Sequence, residues 1–134
     1  MNHSALLVGR ILLALIFLVA GYRKLMAVAG SAGYFAKLGF PMTDVLVWVV
    51  IAVEIGAAVL LILGWKTRWG ALALALFTLI ATFAAHRFWE ISDAGQYANQ
   101  MNHFLKNLAI VGGMIILAAT GPGPHSVDGR RRGG

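Results

Sequence analysis

The amino-acid sequence predicts an all-α integral membrane protein, built as a bundle of four transmembrane helices. Hydrophobic residues make up 60% of its 134 residues, and the mean hydropathy is +0.79. Charged residues make up only 12%, about half of the ~25% that is usual in soluble domains. The apolar residues fall into four segments, each close to the ~20 residues that a spanning helix needs. None of the segments shows the two-residue alternation of a barrel strand, so each must be helical in lipid.

The four predicted spans are joined by short connections. They cover residues 5–25, 45–63, 69–85 and 104–120. The small residues at 29–33 predict a break after the first helix, and residues 34–38 predict a short helix at the membrane surface. Thr43 or Asp44 is placed to cap the second helix. Residues 64–68 predict a tight turn before the third helix.

The chain ends in a basic segment. The sequence Gly121-Pro122-Gly123-Pro124 terminates the fourth helix. We therefore predict a transmembrane domain over residues 1–124 and a mobile tail over residues 125–134. Lys and Arg are concentrated in this tail and in the 64–68 turn, and such residues favour the cytoplasmic side. Both termini are accordingly expected in the cytoplasm.

Charge and composition exclude several functions. The net charge of +6 comes from residues at the ends of the apolar segments, which indicates contact with lipid headgroups and not with nucleic acid. The chain has no cysteine. Disulfides, thiol redox chemistry and cysteine-based metal ligation by this chain are therefore excluded.

Glu54 lies near the middle of the second predicted span. A carboxylate at membrane depth costs about 2.5–3.5 kcal/mol on insertion scales, so it should face the bundle interior and have a partner. At 1.5 Å per residue, Arg10 lies about 8 Å and Glu54 about 14 Å from the same end of the bundle. We therefore predict an Arg10–Glu54 ion pair. A purely structural pair that fixes helix register and a functional acid are both open at this stage.

A second polar cluster is predicted at the opposite ends of the helices. It contains Lys24, His86, Lys106 and Asn107. Such a rim suits an anion or the carbonyl oxygens of a quinone, although Lys side chains that mark the membrane surface would look the same in sequence. His86, Glu90 and His103 form too weak a pattern to predict a metal site.

Short motifs throughout the chain then indicate a family. They are Arg10, Gly21-Tyr22-Arg23-Lys24-Leu25, Gly39-Phe40-Pro41, Glu54 with Gly64, Lys66-Thr67-Arg68, His86, Phe104-Leu105-Lys106-Asn107-Leu108, Gly112-Gly113, Gly121-Pro122-Gly123 and Ser126-x-Asp128. In their order and spacing these motifs resemble the DoxX family of small bacterial membrane proteins.

The resemblance implies a four-helix protein of the bacterial inner membrane with a redox-linked role. One family member is similar to the small subunit of a thiosulfate:quinone oxidoreductase. Another is associated with a membrane complex that contains a superoxide dismutase and a sulfur transferase. The implied site contains Glu54, Lys24, His86, Lys106 and Asn107.

Our leading hypothesis is an accessory subunit of a quinone-linked redox system. In it, Glu54 and His86 handle protons as the catalytic residues, while Lys24, Lys106 and Asn107 bind the quinone headgroup or a small anion. Electrons would come from a redox partner protein. A non-catalytic scaffold of a membrane complex and a small, oligomeric ion or solute transporter are the alternatives. Whether the chain is itself an enzyme stays open.

Overall fold

The computed structural model describes residues 2–132, with the backbone alone at Arg132. Over this range it contains six α-helices, one 3₁₀ turn and no β-strand. The α-helices are α1 His3–Leu25, α2 Val28–Lys37, α3 Thr43–Leu63, α4 Thr67–Ala85, α5 Ala94–Thr120 and α6 Val127–Arg132, and the 3₁₀ turn is Phe88–Glu90. The predicted all-α class is confirmed.

Four helical segments are long and apolar enough to cross a bilayer. These spans are His3–Leu25, Thr43–Leu63, Thr67–Glu90 and Ala94–Thr120. Each contains at least 21 residues, or roughly 32 Å of helix, against a hydrocarbon core of about 30 Å. The four predicted spans are therefore confirmed.

The spans form one bundle in which chain neighbours pack against each other. Helix α1 packs along α3, α3 along α4, and α4 along α5, while α1 also contacts α5. Gly113 is a point of close approach between α5 and α1, because a Cβ there would lie 3.0 Å from a Leu13 methyl carbon. Small residues such as Ala14, Ala58 and Ala71 fill the buried centre and let the helices approach closely.

Helix α2 lies against α3 and not in the central core. Phe35 packs with Val47, Val50 and Ile51 of α3 in a separate buried cluster. The sequence predicts a break over residues 29–33, but the structure places those residues inside α2, and the break occurs between α1 and Val28. The short predicted helix is therefore longer than expected, and its apolar face covers the beginning of α3.

Helix α5 begins well before its predicted start at residue 104. Its cap residue is Asp93, whose Oδ2 accepts a hydrogen bond from the Gln96 amide at 2.9 Å. Residues 94–103 are largely polar and exposed, so the apolar pattern does not report them. The combination of Asp93 and Gln96 is a recognisable helix-start signal.

The tail differs from the mobile segment that the sequence predicts. Ser126 is buried. The Asp128 carboxylate caps the beginning of α4, accepting hydrogen bonds from the Lys66 and Thr67 amides at 3.0 Å each. The Asp128 amide in turn donates to Gly64 O at 2.9 Å. Residues 126–128 are therefore folded onto the turn between α3 and α4, while residues 133–134 lie outside the described part.

Candidate functional site

Glu54 is buried inside the bundle and forms an ion pair with Lys24. Lys24 Nζ donates to both Glu54 carboxylate oxygens at 3.0 Å. The Lys24 side chain keeps 24% of its surface exposed, against 4% for Glu54. The pair therefore connects a buried acid to a cation that reaches the bundle surface.

Antiparallel packing of α1 and α3 explains this pairing. Gly21 of α1 lies beside Glu54, with its hypothetical Cβ 3.1 Å from Glu54 Cβ. Side chains on a helix lean towards its N-terminus. Lys24 therefore leans inwards along α1, Glu54 leans outwards along α3, and the two charged groups meet.

Arg10 is buried at the opposite end and binds backbone oxygens. Its Nη1 donates to Pro122 O at 2.6 Å, and its Nη2 donates to His125 O at 2.6 Å and to Ile62 O at 3.4 Å. The guanidinium therefore joins α1 to the end of α3 and to the segment after α5.

The predicted Arg10–Glu54 pair is wrong. Arg10 leans towards the N-terminus of α1, where its Nη1 lies 3.1 Å from the position a Gly64 Cβ would take. Gly64 is ten residues, or about 15 Å of helix, from Glu54. Depth along the helices suggested the pair, but side-chain direction separates the two groups. Since Glu54 leans the other way, the two side chains diverge.

A cavity of about 450 Å³ lies beside the Lys24–Glu54 pair. Four of the five predicted site residues line it: Lys24, Glu54, His86 and Asn107. The remaining lining residues are mainly apolar and come from all four spans and α2. The bundle therefore gathers polar groups from α1, α3, α5 and the end of α4 around one largely apolar space.

Lys106 does not line this cavity. It is exposed, and its Nζ lies 3.3 Å from His103 Nδ1. Neighbouring residues on a helix point about 100° apart, and in this part of α5 the cavity lies on the side of Asn107 and not of Lys106. Asn107 faces the cavity, and its amide has no hydrogen-bond partner within residues 2–132.

His86 is held at the rim of the cavity by α5. Its Nδ1 lies 2.7 Å from Gln100 Oε1, and its ring stacks on His103 at 5.1 Å between centroids. Because Nδ1 is engaged by Gln100, only Nε2 is left for a ligand. Glu90 does not join the two histidines in a ligand set, since it pairs with Arg87 at 3.5 Å. Among the described residues, no three potential metal ligands come together.

Sequence reasoning missed the aromatic wall of the cavity. Phe35 and Phe40 come from α2 and the loop after it, Tyr34 also comes from α2, and Phe77 comes from α4. The sequence predicts this segment as a short helix at the membrane surface, and nothing in that prediction places it beside the polar cluster. Its tyrosine–phenylalanine pair was the available signal, because such residues bring a large apolar area wherever they pack.

Comparisons with known proteins agree with this architecture. The DoxX family profile matches residues 5–87. The inner membrane protein YphA of Escherichia coli K12 is 37% identical over 125 residues, covering 93% of this chain and 89% of YphA. YqjF of the same organism, also named an inner membrane protein, is 37% identical over 128 residues, covering 96% and 92%. No solved structure matches the chain significantly.

The similarity extends to a longer eukaryotic protein. A Surfeit locus protein 4 homolog of Schizosaccharomyces pombe is 32% identical over 127 residues, which cover 94% of this chain but 37% of that protein. The profile match takes in Lys24, Glu54 and His86, and the YphA and YqjF alignments span almost the whole chain. The chain is therefore an integral membrane protein that belongs to the DoxX family.

Proposed function

We propose that this chain is an accessory subunit of a quinone-linked membrane redox system and that its cavity binds the quinone headgroup. The observation that carries the proposal is the convergence of Lys24, Glu54, His86 and Asn107 on one largely apolar cavity. Small-molecule sites typically combine an apolar wall with a few convergent polar groups. Intramembrane ionisable residues are functional candidates by default.

The size and lining of the cavity suit a quinone ring. Its volume of about 450 Å³ falls within the ~300–1,000 Å³ of typical ligand pockets. Tyr34, Phe35 and Phe77 offer ring surfaces for stacking. The Lys24 ammonium and the Asn107 amide are donors that suit the two carbonyl oxygens of such a ring.

Glu54 and His86 are the groups proposed to hold protons. A Lys24 ammonium that turns towards a ligand oxygen weakens its bonds to Glu54. The carboxylate is then left in an apolar space, where accepting a proton relieves the cost of its charge. His86, fixed by Gln100 at the rim, is placed between the cavity and the stacked His103.

A bound quinone supplies the redox chemistry that these side chains lack. Because the chain has no cysteine, it has no thiol of its own to deliver electrons to the site. A partner protein is therefore part of the proposal, and the chain's own contribution is binding, orientation and proton handling.

Extraction and binding measurements test the function. Lipids extracted from the purified protein are expected to contain quinone, detected by mass spectrometry. Titration with a soluble quinone is expected to show at least about tenfold weaker binding for Glu54→Gln, the equivalent of about 1.4 kcal/mol. Lys106→Met is the matched control, since Lys106 lies outside the cavity and its loss should leave the affinity unchanged.

Other outcomes point to other functions. Absence of quinone together with no measurable quinone affinity contradicts the proposal. Co-purification of a partner protein that Glu54→Gln leaves intact would then favour a scaffold. Proton or anion flux in proteoliposomes that Glu54→Gln abolishes would favour a transporter.

We also propose that both termini face the cytoplasm. Lys66, Arg68, Arg130 and Arg131 are exposed at the end of the bundle where α1 begins, and such residues favour the cytoplasmic side. The cysteine-free chain permits a direct test. Arg131→Cys should be protected from an impermeant thiol reagent in intact cells, while Lys37→Cys should react. The reverse labelling pattern contradicts this orientation.

A further inference from the structure

The proposed site extends well beyond its polar groups. On α1 the lining runs from Lys24 to Ile16, a separation of eight residues or about 12 Å. On α4 it runs from His86 to Phe77, a similar distance. Thr78, at the deep end, donates its hydroxyl to Leu74 O at 2.7 Å. This deep end therefore offers a ligand apolar surface with almost no polar group in need of a partner.

The deep part also opens sideways. Ile16 of α1, Val49 of α3 and Ile80 of α4 line the cavity, yet they are 41%, 52% and 55% exposed. All three lie at least five residues inside their spans, which is more than one helical turn. At that depth, side chains on the outside of a bundle contact lipid tails. The cavity therefore borders both the bundle interior and the hydrocarbon of the bilayer.

The charges in the cavity disfavour a small anion. Lys24 and Glu54 are the lining residues of opposite formal charge, and they neutralise each other at 3.0 Å. An anion bound to Lys24 would bring a second negative charge beside the Glu54 carboxylate in a largely apolar space, and like charges at such a distance repel strongly. A neutral headgroup can accept a hydrogen bond from Lys24 without adding that charge.

We propose that the ligand is a membrane-dissolved amphiphile that enters from the bilayer. Its uncharged polar head binds beside Lys24 and Glu54, and its apolar chain lies along Phe17, Phe77 and Ile80. This inference rests on the proposed function, and it selects the quinone with an isoprenoid chain over the soluble anion.

Chain length provides the first test. Binding of a quinone without a side chain is compared with binding of the same ring carrying two isoprene units, in nanodiscs containing the full-length protein. The longer ligand is expected to bind at least about tenfold more tightly, because each buried methylene contributes about 0.8 kcal/mol. Comparison with the affinity for empty nanodiscs removes simple partitioning into lipid.

A blocked entrance provides the second test. Ile80→Trp places a bulky ring at the lateral opening and is expected to slow association of the long-chain quinone at least about fivefold. Leu76→Trp is the matched control, because Leu76 is 61% exposed on the same helix and does not line the cavity. Its association rate should equal that of the unmodified protein.

The outcomes separate this inference from the proposed function. Equal affinity with and without the chain, and equal rates for both tryptophan variants, overturn the lateral amphiphile site. If Glu54→Gln still weakens binding of both quinones in that case, the quinone function stands. Absence of binding at every chain length overturns both.

Discussion

The two ends of the bundle bury charged groups in different ways. At the end where α1 begins, the two Nη atoms of Arg10 donate to the carbonyl oxygens of Pro122, His125 and Ile62. At the other end, Glu54 is satisfied by the Lys24 side chain and borders a cavity. The backbone oxygens that bind Arg10 cannot move away from it unless the segments that carry them unfold. A flexible, partly exposed lysine can turn away from Glu54.

The comparison shows that a buried charge is not by itself a sign of a site. Arg10 and Glu54 look equivalent in the sequence, since each is an ionisable residue surrounded by apolar residues inside a predicted span. The nature of the partner distinguishes them. Because its partners are backbone oxygens, Arg10 serves to stabilise the fold. Glu54 has a side-chain partner and borders the cavity, which suits it to ligand binding.

The largest expected effect is the loss of the Arg10 contacts. Arg10→Met leaves the oxygens of Pro122 and His125 without their charged donor, and we expect the free energy of unfolding to fall by about 3–5 kcal/mol. Unfolding by SDS in detergent micelles measures it. Arg10→Lys should recover part of the loss, because lysine restores the positive charge but lacks the two separate Nη donors of the guanidinium. A fall below about 1 kcal/mol for Arg10→Met would show that those contacts are dispensable.

The next effect tests how tightly the Lys24 end is packed. A Cβ at Gly21 would lie 2.6 Å from Ile55 Cγ1 and 3.1 Å from Glu54 Cβ. Gly21→Ala is therefore expected to destabilise the protein by about 1–3 kcal/mol. Gly9→Ala on the same helix is the control, since nothing lies within 4 Å of its Cβ position. Equal melting temperatures for the two variants would contradict close α1–α3 packing beside Glu54.

A smaller effect is expected from the cap on α4. Asp128→Ala removes the acceptor of the Lys66 and Thr67 amides and should cost about 1–2 kcal/mol. Asp128→Asn should lose about half of that stability, because its amide oxygen can accept only one of the two backbone N–H groups and its NH2 group cannot accept the other. Protease cleavage after Arg130 should be faster in the alanine variant. An unchanged cleavage rate would mean that the cap does not hold the tail.

The smallest effect on stability is expected from Glu54→Gln. The amide removes a charge from the interior, and the partly exposed Lys24 can reach the headgroup region on its own. We expect a change below about 1 kcal/mol, together with the tenfold loss of quinone affinity given above. A loss comparable to that of Arg10→Met would make the Lys24–Glu54 pair structural and would remove the contrast between the two ends.

The sequence predicts the spans well because bilayer thickness fixes the length of an apolar segment, and the need to satisfy backbone hydrogen bonds in lipid fixes its helical conformation. It predicts the neighbourhood of Glu54 less well. Lys24, His86 and Asn107 line the same cavity as Glu54, as expected from their positions near the same end of the bundle in the predicted spans. Lys106 does not, because one residue along a helix changes the face it occupies.

The errors share a cause, which is contact between distant parts of the chain. Depth within a span does not reveal that Arg10 and Glu54 lean in opposite directions. No local pattern reveals that the Arg10 guanidinium donates to the oxygens of Pro122 and His125, which lie 112 and 115 positions further along the chain. Asp128 likewise caps a helix whose start lies 61 residues earlier. Such contacts follow from the packed bundle and not from the tail's composition.

The Arg10 contacts also constrain biogenesis. Arg10 enters the membrane with the first span, but two of the oxygens that receive it belong to Pro122 and His125. During translation the cation must therefore be accommodated by water, headgroups or the insertion machinery until residues 122–125 have left the ribosome. The oxygens of Pro122 and His125 then replace these temporary partners and fix the first span in the bundle.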